Sequence, residues 1–186
     1  SRNTLAITQD AVRAFKKLGW TGPFHTQLLF LPLPMLRRRW RPHAGFSLTS
    51  YEVQGPALPK ALVQALTHIQ QTRPADDIRR MRPLAAWRAH LGVWPDRRHR
   101  FHVVMHDETP IGVFVMRGAG ARAKAMYRWT RLQYVSDIVM NRTDAASLSF
   151  LADSIGSTAP RTAGGVILCS SNAAIVTAMA KAGWLS

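Results

Sequence analysis

Asp137 is the carboxylate best placed to do chemistry in this sequence. It stands inside an apolar run, between Ser136 and Ile138. Burial there raises a carboxyl pKa and suits the group to act as a general base. Two structural alternatives stay open: a buried acid paired with one of the many arginines, or a strand that faces solvent. His102 and His106 share a strand face, but Val104 lies between them and no Cys or carboxylate cluster joins them. Zinc needs three or four convergent ligands, so no metal is expected and a solvated strand face is. Cys169, the single cysteine, falls in a short apolar run and is expected to pack in the core. One thiol excludes an internal disulfide framework and fits a reducing, cytoplasmic setting. Trp87, Trp94 and Trp129 suit core or lid anchors better than base-stacking platforms. The sequence contains no Gly-x-Ser-x-Gly, Walker or Cys-x-x-Cys motif.

These residues must be positioned by elements that the apolar pattern outlines. A helix is expected over 8–18, capped by Thr8, with Ala11, Val12, Phe15 and Leu18 on one stripe before Gly19. An extended apolar segment follows at 25–33, then a basic, proline-containing connection at 35–45. Residues 47–53 have strand composition. Pro59 opens a helix with Leu62, Leu66 and Ile69 on one side, and Pro83, Leu84, Trp87 and Leu91 suggest a second. A hairpin is expected from 101–106, a turn at 107–110 and a return strand at 111–116. A Gly- and Ala-rich loop precedes a long strand at about 131–140 and a helix at 144–155. A short strand at 166–169, unbroken by polar residues and so expected to be buried on both faces, leads to a last helix at 172–182. Strand, turn, strand, strand, helix, strand, helix is a mixed α/β (α+β) arrangement.

The chain has 186 residues, of which 47% are hydrophobic and 19% charged. That suits one domain with a sizeable core, or one domain and part of another. No apolar run approaches the ~20 residues of a membrane-spanning helix, and residues 28–36 are broken by Pro32 and Pro34. The N-terminal residues lack the apolar stretch of a secretory signal. Lys and Arg number 25 against 10 Asp and Glu, a formal +15. Such a surface attracts polyanions such as nucleic acid, anionic lipid or a phosphorylated cofactor. The plain alternative is solvated arginine-rich faces. The arginine clusters at 37–41, 79–82 and 97–100 lack the aromatic interleaving of a single-strand groove.

An internal repeat organises the chain further. Residues 12–20, Val-Arg-Ala-Phe-Lys-Lys-Leu-Gly-Trp, match residues 176–184, Val-Thr-Ala-Met-Ala-Lys-Ala-Gly-Trp, at Val, Ala, Lys, Gly and Trp. Both copies end an amphipathic helix in Gly followed by a large aromatic. That ending, with Asn172 eleven residues before Gly183, resembles the last helix of the GNAT N-acetyltransferase superfamily. The strand 166–169, the hairpin carrying Pro110-Ile111-Gly112-Val113, the strand 132–140 and the segment from Arg82 through Trp87-Arg88 to Pro95 are similar to further parts of that family's tandem members.

The resemblance implies a GNAT-like mixed, mostly antiparallel sheet flanked by helices. It places 1–35 as the C-terminal part of a first domain, 36–57 as a connection and 58–186 as a second domain incomplete at its C-terminus. A natural protein longer at both ends is therefore expected. It also implies an acyltransferase with acetyl-CoA or another acyl-CoA as donor and an amine or hydroxyl acceptor. In the family a glycine-containing loop after the long strand cradles the donor's pyrophosphate at a helix N-terminus. The matching segment here has no glycine: Arg142 can touch a phosphate and Thr143 can cap the helix, but Asp144 sets a negative charge where an anion should sit. Asn172 can hold the cofactor arm or a water, and capping explains it equally well. The family's usual tyrosine acid is replaced by Met179, and by Phe15 in the partial copy. This domain is thus expected to be a degenerate or acceptor-shaping partner. A non-catalytic basic module holding an anionic partner such as nucleic acid is the competing reading, and a homo-oligomer stays open.

Overall fold

The computed structural model describes residues 27–32, 43–72, 83–93, 98–118, 132–160, 163–170 and 172–185. The first copy of the repeat, the arginine clusters at 37–41 and 79–82, Trp94, Trp129 and most of the Gly- and Ala-rich loop lie outside these residues. The elements, in chain order, are β1 (Gln27–Leu31), β2 (Phe46–Gln54), α1 (Lys60–Gln71), α2 (Leu84–Val93), β3 (Arg98–His106), β4 (Thr109–Gly118), β5 (Leu132–Met140), α3 (Ala145–Thr158), β6 (Gly165–Ser170) and α4 (Ala173–Lys181). The six strands form one sheet in the order β1-β6-β5-β4-β3-β2, and every pairing is antiparallel except β5 with β6. The fold is mixed α/β, with the mostly antiparallel sheet expected from the sequence.

Alternating side chains send each strand's apolar residues to two opposite cores. On one face Val53, Phe101, Val103, Val113 and Val115 pack against Leu62, Leu66 and Ile69 of α1 and Trp87 and Leu91 of α2. On the other, Leu29, Leu31, Val104, Phe114, Met116, Val135, Val166 and Leu168 pack against Leu148, Leu151 and Ile155 of α3 and Ile175 and Met179 of α4. The molecule is a three-layer α/β/α arrangement.

The hairpin between β3 and β4 turns on two residues, Asp107 and Glu108, with φ of 46° and 62°. Both lie in the left-handed region, as a two-residue turn matching the strand twist demands. The turn is shorter than the 107–110 expected, because left-handed backbone at both positions lets Thr109 re-enter the ladder opposite His106.

At the other end, α4 closes in a Schellman motif. Gly183 has φ 89°, its N–H donates to Ala180 O, and Trp184 N–H donates to Met179 O, both at 3.0 Å. This is the Gly-aromatic ending read from the repeat. It carries Trp184 into the same core as Met179 and delivers Leu185 to β1, where Leu185 and Phe30 exchange two backbone hydrogen bonds of 2.8 Å. β1, placed by sequence with a first domain, therefore lies between β6 and Leu185 in the same sheet as the strands of residues 58–186. β2, inside the stretch expected as a connection, forms the opposite edge.

Candidate functional site

The sheet is interrupted where Asp137 stands. Val115 pairs with Asp137, but Met116 pairs with Val135, leaving Ser136 as an extra residue on β5. This β-bulge shifts the alternation: Val135 and Ile138, three apart, both reach the α3/α4 core. Val139 packs with the opposite core, and Asp137 shares its side, under α1 and α2. Ser136 Oγ–H donates to Val115 O at 3.4 Å. Asp137 is half-buried, and its Oδ2 is shielded from solvent.

The bulge coincides with a parting of strands. The parallel ladder runs from Leu132 opposite Gly165 to Val135 opposite Leu168 and stops there. Beyond it β6 continues only with β1, through Cys169 and Ser170. The β6-facing backbone edge of β5 past the bulge, Ser136 to Met140, thus has no strand partner among the described residues.

At the end of that edge, Asn141 N–H donates to Ile111 O at 2.9 Å, and its Nδ2 donates to Thr72 Oγ1, just beyond α1, at 2.7 Å. Arg142 is exposed, and its Nη1 donates to His106 Nδ1 at 3.2 Å. The same nitrogen lies 3.3 Å from Asp107 Oδ2. The tautomer decides its role: without a proton this nitrogen accepts from Arg142, and with one it donates to Asp107. Thr143 is not the cap of α3. That role falls to Asp144, which accepts from Ser147 N–H at 2.9 Å and Ser147 Oγ–H at 2.7 Å. These two bonds, the backbone one first, hold the Asp144 carboxyl below its usual range. A carboxylate thus already occupies the positive end of α3.

Asn172 caps α4: its Oδ1 accepts from Ala174 N–H at 3.0 Å and Ile175 N–H at 3.4 Å. Its Nδ2 is buried with no hydrogen-bond partner, just past the end of β6. Where the family carries its tyrosine, Met179 is fully buried and has no proton to give.

Three expectations are corrected. His102 is not on a solvated face. It is 3% exposed, stacks on Phe114 with ring centroids 4.7 Å apart, and its Nδ1 is hydrogen-bonded to Ser50 Oγ at 2.8 Å. Burial, then the charge of Arg100, lowers its pKa to about 4. Cys169 is exposed, not in the core, because it points to the face opposite Val166 and Leu168. Partial desolvation still pushes its thiol pKa up, away from a thiolate. For the same reason β6 is buried on one face, not both. Among the described residues no three His, Cys, Asp or Glu converge as metal ligands, and no helix is long and apolar enough to cross a membrane.

Sequence reasoning missed the bulge at Ser136 and the cap at Asp144. The first shows only in the structure, where Val135 and Ile138, three apart in the strand, both face one core.

No protein-family model matches the chain, and no curated protein matches its sequence. Solved structures do resemble its fold. One is a functionally unknown conserved protein from Staphylococcus epidermidis ATCC 12228, with a TM-score of 0.53 and 11% identity over 97% of this chain. Another is a tandem GNAT protein from the clavulanic acid biosynthesis pathway, solved without AcCoA, with a TM-score of 0.52 and 15% identity over 86% of this chain. The chain spans 64% and 49% of these two solved chains. The likeness establishes a GNAT-like fold.

Proposed function

We propose that the chain is an acyltransferase module, with an acyl thioester of coenzyme A as donor and an amine or hydroxyl as acceptor. The observation that carries this reading is the bulge at Ser136, followed at once by the parting of β5 from β6. It leaves an extended backbone edge, Ser136 to Met140, offering N–H and C=O groups inside a sheet. A pantetheine arm is an extended chain with two amides, and it matches such an edge as an added strand would.

The residues fit the two ends of the donor unequally. The arm has the β5 edge and the unpartnered Nδ2 of Asn172. For the phosphates, the N-terminus of α3 is closed by Asp144, and Arg142 is the nearby cation. When bound, the donor supplies an acyl carbon activated by its thioester. Asp137, on the α1/α2 side of the bulge, takes the proton of the acceptor as its nitrogen or oxygen bonds to that carbon. The carbon–sulfur bond breaks with its electron pair on sulfur. Because Met179 cannot protonate that sulfur, its proton comes from solvent.

Titration of the protein with acetyl-CoA by calorimetry, at low and high salt, tests the reading. The expected result is micromolar binding that survives salt, and Asp137→Asn should leave it unchanged because Asp137 serves the acceptor side. No binding overturns the proposal. Binding that collapses with salt supports the competing reading of a basic module for an anionic partner.

A further inference from the structure

His106 stands between two groups of opposite charge. Its Nδ1 lies 3.2 Å from Arg142 Nη1 and 3.3 Å from Asp107 Oδ2. A lone pair on that nitrogen suits the guanidinium, and a proton suits the carboxylate. The half-buried ring is held by packing: it meets Phe46 of β2 with centroids 4.5 Å apart, and Phe46 stacks on Phe150 of α3 at 5.1 Å. The backbone of Asp107 is held too, because its N–H donates to Gly45 O at 2.8 Å. Arg142 is the exposed member of the three.

The other charged and titratable groups at this end of the sheet are already engaged or turned to solvent. Glu108, the second residue of the hairpin turn, is exposed. Asp144 is taken up by Ser147 as the cap of α3. His43 lies across Phe46, at a centroid distance of 6.2 Å, and is bonded to Asp153 of α3 at 2.9 Å. Histidine is the side chain whose charge changes most readily between pH 5 and 8. An imidazolium carries a proton on both nitrogens, so a charged His106 can only donate from Nδ1. It then bonds to Asp107, and Arg142 loses its acceptor and faces a second cation.

We propose that His106 is a proton-operated control of the donor site: its protonation hands Nδ1 to Asp107, releases Arg142 and leaves two cations beside the β5–α3 turn for the phosphates of the donor. The inference rests on the acyltransferase reading and adds its regulation. A neutral His106 holds Arg142 by a hydrogen bond and offers the phosphates one positive charge. A charged His106 offers two. The coupling is reciprocal: the anion binds the protonated form better, so affinity rises as pH falls and donor binding takes up protons. Acid thus favours loading of the donor, while transfer itself needs an unprotonated acceptor.

The test is calorimetric titration with acetyl-dephospho-coenzyme A, whose pyrophosphate keeps its charge across the range, at pH 5.5 and pH 8 and one salt concentration. Affinity should be about three- to fivefold higher at pH 5.5, the size of one exposed charge pair. The same titration of the unaltered protein at pH 6.5, in two buffers of different ionisation enthalpy, should show net proton uptake. His106→Gln, which keeps a hydrogen-bonding side chain that does not titrate, should lose the pH dependence and the uptake and bind at the weaker level. His106→Lys, charged throughout, should bind at the tighter level at both pH values, and His43→Gln should behave as the unaltered protein. Equal affinity at the two pH values, absence of proton uptake, a pH dependence that survives His106→Gln, or one that disappears in His43→Gln overturns the control and leaves the donor reading standing. If the donor binds at neither pH, both fall.

Discussion

Deleting Ser136 removes the bulge without disturbing either core. The residues on each side already have partners: Val135 faces Met116 and Asp137 faces Val115, so the shortened strand pairs as one regular ladder. Alternation is kept too, with Val135 and Ile138 still toward the α3/α4 core and Val139 toward the other. The deletion recovers ladder hydrogen bonding, about 1 kcal/mol, and gives up only the long Ser136 contact with Val115 O. Stability should therefore change by no more than about 1 kcal/mol, a Tm shift of about 2–4 °C at this chain length. A straightened β5 can continue its parallel pairing with β6 past Val135, covering the edge offered to the donor. Losing two backbone hydrogen bonds to the arm costs about 2 kcal/mol, or about thirty-fold in affinity. Calorimetric titration with acetyl-CoA and a thermal melt, run on the same preparation, separate the two effects. A deletion variant that melts normally and binds acetyl-CoA with unchanged affinity would refute the link between bulge and donor site.

Two further outcomes follow from packing and from protonation. His102 has a folded pKa of about 4 against an ordinary 6.5, so its contribution is intact above pH 6.5 and lost as pH falls toward 4, by roughly 3 kcal/mol at most. Melts at pH 7 and pH 4.5 should show a drop that shrinks in His102→Phe, and an equal drop in both proteins would assign the acid sensitivity elsewhere. At Gly112 an added Cβ would strike Met140 Sδ and come within 2.9 Å of Val139 O. Gly112→Ala should cost about 1–3 kcal/mol, less in a Met140→Ala background, and strict additivity in that cycle would contradict the contact.

Much of the architecture was legible because the chain repeats its signals at several levels. Pro59 with Leu62, Leu66 and Ile69 gave α1, and the Asp107-Glu108 turn between apolar runs gave the hairpin. The Gly183-Trp184 ending gave a helix terminus whose Schellman bonds are visible in the fold. The candidate site was less legible. Asp137 could be singled out by its apolar neighbours, but the face it occupies depends on one extra residue, and composition does not mark a bulge. Thr143 and Asp144 are both good cap residues, so only backbone geometry decides between them. His102 looked solvated because polarity was read one strand at a time, whereas its ring stacks on Phe114 of one adjacent strand and bonds to Ser50 of the other.

The placement of β1 has a kinetic consequence. Gln27–Leu31 pairs with Val166 to Ser170, so closing that ladder joins segments far apart in the sequence. Such a contact carries a high loop-closure entropy and a long sequence separation, both of which slow folding. During synthesis β1 must wait until β6 has left the ribosome, while β2, β3 and β4 can zip locally. The last pairing to form is thus the one beside the parted strands, and the face that would receive the donor is completed only when the chain closes upon itself.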